Sequence, residues 1–167
     1  PEGEKWLVSV GRLVPWKGME TLIEVMPQLL QEVPNLKLKI VGGGPVIEGL
    51  RLKIEDLRLR DSVELTGSLS HDKALSYIAA ADLFVLNSGY EGLPHVVIEA
   101  FNQGTPAIAS RMGGNDEIVS EDGLFEYNNK KEIVEKILLH IDGGKTTPIE
   151  HGFGDMVNKT KKILEQV

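Results

Sequence analysis

The sequence predicts an α/β fold, a parallel sheet with helices on both faces. Short apolar runs alternate with segments whose apolar residues recur at helical spacing. Four strand-to-helix turns, at 11–18, 42–45, 88–94 and 111–115, are rich in glycine or charge. A length of 167 residues, 41% hydrophobic and 26% charged, suits one globular domain with a sizeable core. Repeated strand–helix units of this size favour parallel pairing, and no internal repeat is present.

The elements follow in order. Residues 6–10 read as the first strand, ending at Gly11-Arg12, and residues 19–32 as a helix carrying Leu22, Ile23, Met26, Leu29 and Leu30. Pro27 predicts a kink or break there, because it lacks an amide hydrogen and crowds the preceding turn. Residues 36–41 form the second strand, and Ile47, Leu50, Ile54 and Leu57 mark the second helix. Residues 63–65 form a third strand, and Ser70 is placed to cap a helix through Leu75, Ile78 and Ala79. Residues 83–86 are a short buried strand broken by Asn87-Ser88-Gly89. Pro94 stands where a first helical residue would, before an apolar helix that Gly104 ends. Residues 105–109 form another strand, and Gly113-Gly114 opens a short helix through Ile118 and Val119. Residues 124–126 make a weak last strand and residues 133–141 a helix. Residues 142–150 look like a linker, and 155–166 a final helix with lysines on a solvated face.

Composition excludes several classes. The formal charge, 18 minus 25 or −7, argues against a nucleic-acid partner, which needs a basic face. No cysteine means no disulfide and no thiol chemistry. No apolar run approaches the ~18 residues of a membrane span, and no signal peptide is present. These features point to a cytoplasmic location, with peripheral membrane association of the full-length protein as an open alternative. The chain begins at Pro1 rather than Met, which reads as a piece of something longer.

In sheets of this kind ligands sit beyond the carboxyl ends of the strands. The 88–94 turn and its helix carry two carboxylates, Glu91 and Glu99, eight residues apart. Helix N-terminal amides suit an anion, and a carboxylate one turn in suits hydroxyls, so a ligand with both phosphate and sugar is expected. A plain loop carboxylate at Glu91 and a solvated helix edge at Glu99 are the alternative from spacing alone. In the first turn Arg12 and Lys17 stand five apart; two cations aimed at one spot match a diphosphate, and two unrelated surface cations are the plainer reading. In the second turn Ile47 replaces the last glycine of a dinucleotide fingerprint, so nicotinamide binding is disfavoured.

The turns together resemble a known family. Gly-Arg-x4-Lys-Gly at 11–18, Val-Gly-x-Gly-Pro at 41–45, Glu-x7-Glu at 91–99 followed by Ala100 and Gly104-Thr105-Pro106, and Gly113-Gly114-Asn115-Asp116-Glu117-Ile118 stand in order. The sequence resembles the C-terminal, donor-binding half of retaining GT-B glycosyltransferases, the "glycosyl transferases group 1" family, from about residue 5 to residue 141. The resemblance implies a Rossmann-like domain over 1–141, with 142–167 as its linker and C-terminal helix and the N-terminal acceptor domain absent.

It also implies a hexosyltransferase of glycan biosynthesis, whose substrate is a nucleotide-diphosphate sugar of UDP or GDP type, with no cofactor and no metal. Arg12 and Lys17 would hold the diphosphate and stabilise its growing charge, and Glu91 would face the donor sugar. Glu99 would bind the ribose hydroxyls. Main-chain groups at Gly11, Gly92, Leu93, His95 and Val96 would meet phosphate and sugar, and Leu69 would border the base. Where many relatives have Phe-Gly, this sequence has Leu93-Pro94, and Pro94 offers no amide to the sugar. No Asp-x-Asp occurs, and His71, His95, His140 and His151 lack metal-ligand spacing. The acceptor, a glycan or lipid-linked sugar, would bind through the missing domain, so the fragment alone would bind donor but transfer poorly. A non-catalytic nucleotide-binding module and a sugar-nucleotide epimerase of GT-B shape stand as alternatives.

Overall fold

A computed structural model describes residues 3–92, 94–143 and 146. Six strands, β1 (Lys5–Val10), β2 (Leu36–Val41), β3 (Val63–Gly67), β4 (Leu83–Leu86), β5 (Ala107–Ser110) and β6 (Leu124–Phe125), form one sheet in the order β3-β2-β1-β4-β5-β6. Every pairing is parallel, as the alternating pattern requires. Among the described residues, α1 (Met19–Glu32), α2 (Ile47–Asp56), α3 (His71–Ala79) and α4 (His95–Asn102) each connect two successive strands, and α5 (Lys130–His140) follows β6. Short 3-10 turns lie at Pro15–Lys17, Gly113–Glu117 and Glu121–Gly123.

The pleat sorts side chains to two cores. Leu7, Leu83, Val85, Ile108 and Phe125 face α1, α2 and α5, whereas Val8, Phe84, Leu86, Ala107 and Leu124 face the side covered by α3 and α4. The central strands are therefore buried on both faces and read as continuous apolar runs. β2 differs: Leu36, Leu38 and Ile40 are buried against α1, while Lys39 on its other face covers the Trp6 ring at 4.7 Å. Helices thus lie on both faces of the sheet, with part of one face at β2 left to polar side chains.

Several boundaries move from their expected places. α1 runs through Pro27, so the expected break does not occur; buried Ile23, Met26 and Leu29 around it outweigh one missing hydrogen bond. Pro94 is the N-cap of α4 rather than its first residue, and its carbonyl accepts from the amides of Val97 and Ile98. Ser70 caps α3 by position only, with no side-chain hydrogen bond. Leu57 falls just past α2 and is 36% exposed. Ile118 and Val119 are buried, but the turn before them is 3-10 rather than α. The expected final helix at 155–166 lies outside the described residues.

An ion cluster ties α1 to its neighbours. The Glu24 carboxylate lies 2.9 Å from Lys53 and 3.1 Å from Lys130. The Lys53 hydrogen bond, then that of Lys130, holds its pKa below the ordinary 4.5. A depressed folded pKa gives stability that is present above pH 4.5 and lost as pH falls through the folded value. Glu24→Gln should therefore lower the melting temperature by about 2 °C at neutral pH and by progressively less as the pH falls below 4.5. Thermal melts across that range check this; an equal loss at both ends would assign the effect to packing.

Candidate functional site

The strand order brings the loops after β1, β2, β3, β4 and β5 to one edge, and glycines let them touch. The Gly11 amide donates to the Val41 carbonyl at 2.9 Å, and the Leu13 amide to Gly43 at 2.9 Å. Gly42, at φ +145°, leaves no room for a side chain: a Cβ there would lie 1.9 Å from the Gly11 carbonyl oxygen. Between these turns and the loop after β3 opens a cleft of about 320 Å³, lined by Gly11, Arg12, Gly42, Gly43, Ser68 and Leu69 among others. Arg12 is exposed there, and no described residue pairs with its guanidinium.

The loop after β4 is pinned from two sides. The Gly89 amide donates to the Trp16 carbonyl at 2.7 Å, and the Ser88 hydroxyl donates to the Tyr90 carbonyl at 2.9 Å. The Ser110 hydroxyl accepts from the Ser88 amide at 2.9 Å and donates to its carbonyl at 2.6 Å. Gly113, at φ +61°, lets the loop after β5 lie against Glu91, whose carbonyl would be 2.2 Å from any Cβ there.

These restraints set Glu91 against Lys17. Their side chains form an ion pair and are only 11% and 17% exposed. Of the two cations expected to face a diphosphate, Lys17 is thus the paired one. Lys17 meets a carboxylate from a loop 74 residues away, because a cation shielded from water needs a counter-charge. Arg12 is left as the exposed cation.

Beneath the pair lies a polar network that the sequence did not reveal. Asn87 is fully buried; its amide donates to the Gly18 carbonyl at 2.9 Å and to Asn128 Oδ1 at 2.8 Å, and its Oδ1 accepts from the Asn128 amide at 3.0 Å. Thr21 donates to the same Asn128 oxygen at 2.8 Å. Gly18 and Asn128 both have positive φ, 55° and 59°. The network joins the start of α1 to the loop before α5 and so fixes the loop that carries Lys17. In sequence only Asn87, which breaks the strand at 83–86, hinted at it.

The remaining candidates scatter more widely. Gly11 and Leu69 line the cleft, and exposed Gly92 accepts from the Gly114 amide at 3.4 Å. His95 opens α4 and is exposed, and Val96 is half-buried. Glu99 is neither buried nor free: its side chain is 33% exposed and lies 3.7 Å from His71 Nε2. Leu93 lies outside the described residues. Among the described residues, no three His, Cys, Asp or Glu side chains gather closely enough to hold a metal ion, and no helix is long and apolar enough to cross a membrane.

Comparison with known proteins follows from this architecture. The family model for "Glycosyl transferases group 1" matches residues 1–148. A GDP-mannose-dependent alpha-(1-6)-phosphatidylinositol monomannoside mannosyltransferase of Mycobacterium tuberculosis is 37% identical over 123 residues, covering 70% of this chain and 32% of that protein. TarM of S. aureus, solved with UDP, alpha-GlcNAc-glycerol and fondaparinux, superposes with a TM-score of 0.80 at 26% identity, over 99% of this chain and 35% of that one. HepE of Anabaena, solved with UDP and glucose, gives 0.75 at 25% identity, over 84% and 39%. The chain spans about a third of the length of curated relatives such as this mannosyltransferase. With the Rossmann-like sheet of a GT-B C-terminal half and a family match across most of its length, the chain belongs to the glycosyl transferases group 1 family.

Proposed function

We propose that this chain is the donor-binding half of a retaining glycosyltransferase that takes a nucleotide-diphosphate sugar. The observation that carries the reading is the set of charges at the carboxyl edge of the sheet. An exposed Arg12, unpaired among the described residues, borders a glycine-walled cleft, and beyond it a shielded Lys17–Glu91 pair lies under the loop after β4. Backbone amides and cations at such an edge suit a diphosphate, and glycines let the main chain approach it. The GDP-mannose dependence of one relative and the UDP bound to two structural neighbours support a UDP or GDP sugar as donor.

In this reading the nucleoside occupies the cleft beside Leu69 and the ribose hydroxyls meet Glu99. Main-chain groups at Gly11, Gly92, Leu93, His95 and Val96 border phosphate and sugar. The bond between the anomeric carbon and the diphosphate oxygen breaks, its electron pair stays on that oxygen, and Arg12 and Lys17 stabilise the charge. Glu91 lies beside the sugar and orients it. The acceptor hydroxyl attacks from the face the diphosphate leaves and passes its proton to the departing phosphate oxygen, which retains the anomeric configuration without a metal. The acceptor, a glycan or lipid-linked sugar, is held by the remainder of a longer protein.

Calorimetric titration of the chain with UDP, GDP and ADP tests the reading. One of the three should bind at micromolar to millimolar affinity. Arg12→Ala should then weaken binding about 10- to 100-fold, the worth of one charge-assisted bond at ~1.5–3 kcal/mol. A folded chain that binds none of them, or that binds equally well without Arg12, overturns the donor site.

A further inference from the structure

His71 has no part in the site described so far. It opens α3 two residues after Leu69 and one helical turn before Ala74, both of which line the cleft. The imidazole therefore stands at the lip of the cleft, with a side chain 67% exposed. Across the junction between α3 and α4 its Nε2 lies 3.7 Å from Glu99 Oε1.

Packed elements hold together the two helices that carry these side chains. Ile78 of α3 and Val97 and Ala100 of α4 are fully buried in one core, and the Thr105 hydroxyl beyond α4 donates to the Ile78 carbonyl at 2.7 Å. At 3.7 Å the nitrogen and carboxylate oxygen are too far apart for a hydrogen bond. One oxygen about 2.8 Å from each fits beside the line that joins them. A carboxylate only accepts and an imidazole N–H donates, so the bridging atom must do both, as a hydroxyl does. A phosphate fails this test, because Glu99 would repel it.

We infer that His71 and Glu99 together clamp a ribose hydroxyl of the bound nucleotide, the hydroxyl accepting from His71 Nε2 and donating to Glu99. The inference rests on the donor reading above and extends it to a residue outside the family motifs. His71 thereby becomes a specificity-determining residue that separates ribonucleotides from deoxynucleotides.

The test uses UDP or GDP, whichever binds the wild-type chain, and its 2′-deoxy and 3′-deoxy analogues. Wild type should bind one analogue about 10-fold more weakly than the ribonucleotide. His71→Ala should lose about 5-fold for the ribonucleotide and nearly nothing for that analogue, collapsing the ratio. His71→Gln, whose amide nitrogen can take the place of Nε2, should restore it, and Glu99→Gln should abolish it. Undiminished discrimination by a folded His71→Ala chain overturns the inference while leaving the donor site standing. Failure of the wild-type chain to bind any nucleotide overturns both.

Discussion

Gly42→Ala should lower the melting temperature by about 10 °C, the largest stability effect expected from any single methyl group here. The new Cβ would lie 1.9 Å from the Gly11 carbonyl oxygen and 2.9 Å from its carbon, both main-chain atoms of the neighbouring turn. A flexible side chain could move away; these atoms cannot, because the Gly11 amide bonds to Val41 and the Gly42 amide to Gly67. The φ of +145° adds strain for any residue with a Cβ. Overpacking and strain together cost about 4 kcal/mol, or roughly 10 °C for a chain of this size. Two controls separate the contributions. Gly104→Ala, at φ +78° with nothing within 4 Å, should cost only ~1 kcal/mol. Gly49→Ala, exposed within α2 with nothing within 4 Å, should stabilise by ~0.5–1 kcal/mol. Scanning calorimetry of the three variants decides the matter: a Gly42→Ala chain melting within ~2 °C of wild type would mean that the two turns are not in contact.

Glu91→Gln should make the protein less stable and its nucleotide binding tighter. Removing the carboxylate leaves Lys17 shielded from water without a counter-charge. A fully buried pair broken in this way costs ~3–5 kcal/mol, and the 17% exposure of Lys17 reduces the expected loss to about 2 kcal/mol. The same change frees the ammonium for an incoming diphosphate and removes a repulsive charge beside it. Affinity for UDP or GDP should rise about 10-fold, equivalent to ~1.4 kcal/mol. Lys17→Met in the same background should recover stability and lose the gain in affinity. Denaturant melts and calorimetric titrations of the two variants and their double form a complete cycle. Weaker nucleotide binding by Glu91→Gln would show that Glu91 supports the diphosphate site rather than competing for its lysine. The opposing signs arise because one ion pair occupies a place where binding needs one charge and folding needs two.

The sequence by itself determined the class of fold and most of its parts. Helix α1 and strand β2 fall on the residues expected, 19–32 and 36–41, because their apolar residues recur at 3.6 and 2. Those periods are local, and so is the φ that places Gly104 just beyond α4. Pro27 does not break α1 for a related reason: its local penalty is real, but the buried side chains of Ile23, Met26 and Leu29 around it outweigh it. The motifs in the turns likewise marked which loops carry the charge.

What only the tertiary structure decided is which of those charges meet. The order β3-β2-β1-β4-β5-β6 sets the loop after β1 beside the loop after β4, and so pairs Lys17 with Glu91 rather than with nothing. It also joins Asn87 to Asn128, 41 residues on, and sets His71 3.7 Å from Glu99. Spacing along a chain cannot reveal such pairs, because hydrophobic periodicity records which face of an element is buried and leaves out which loop stands next to it. Strand order and turn geometry supply that adjacency, and at the carboxyl edge of the sheet adjacency decides which cation remains free for a ligand.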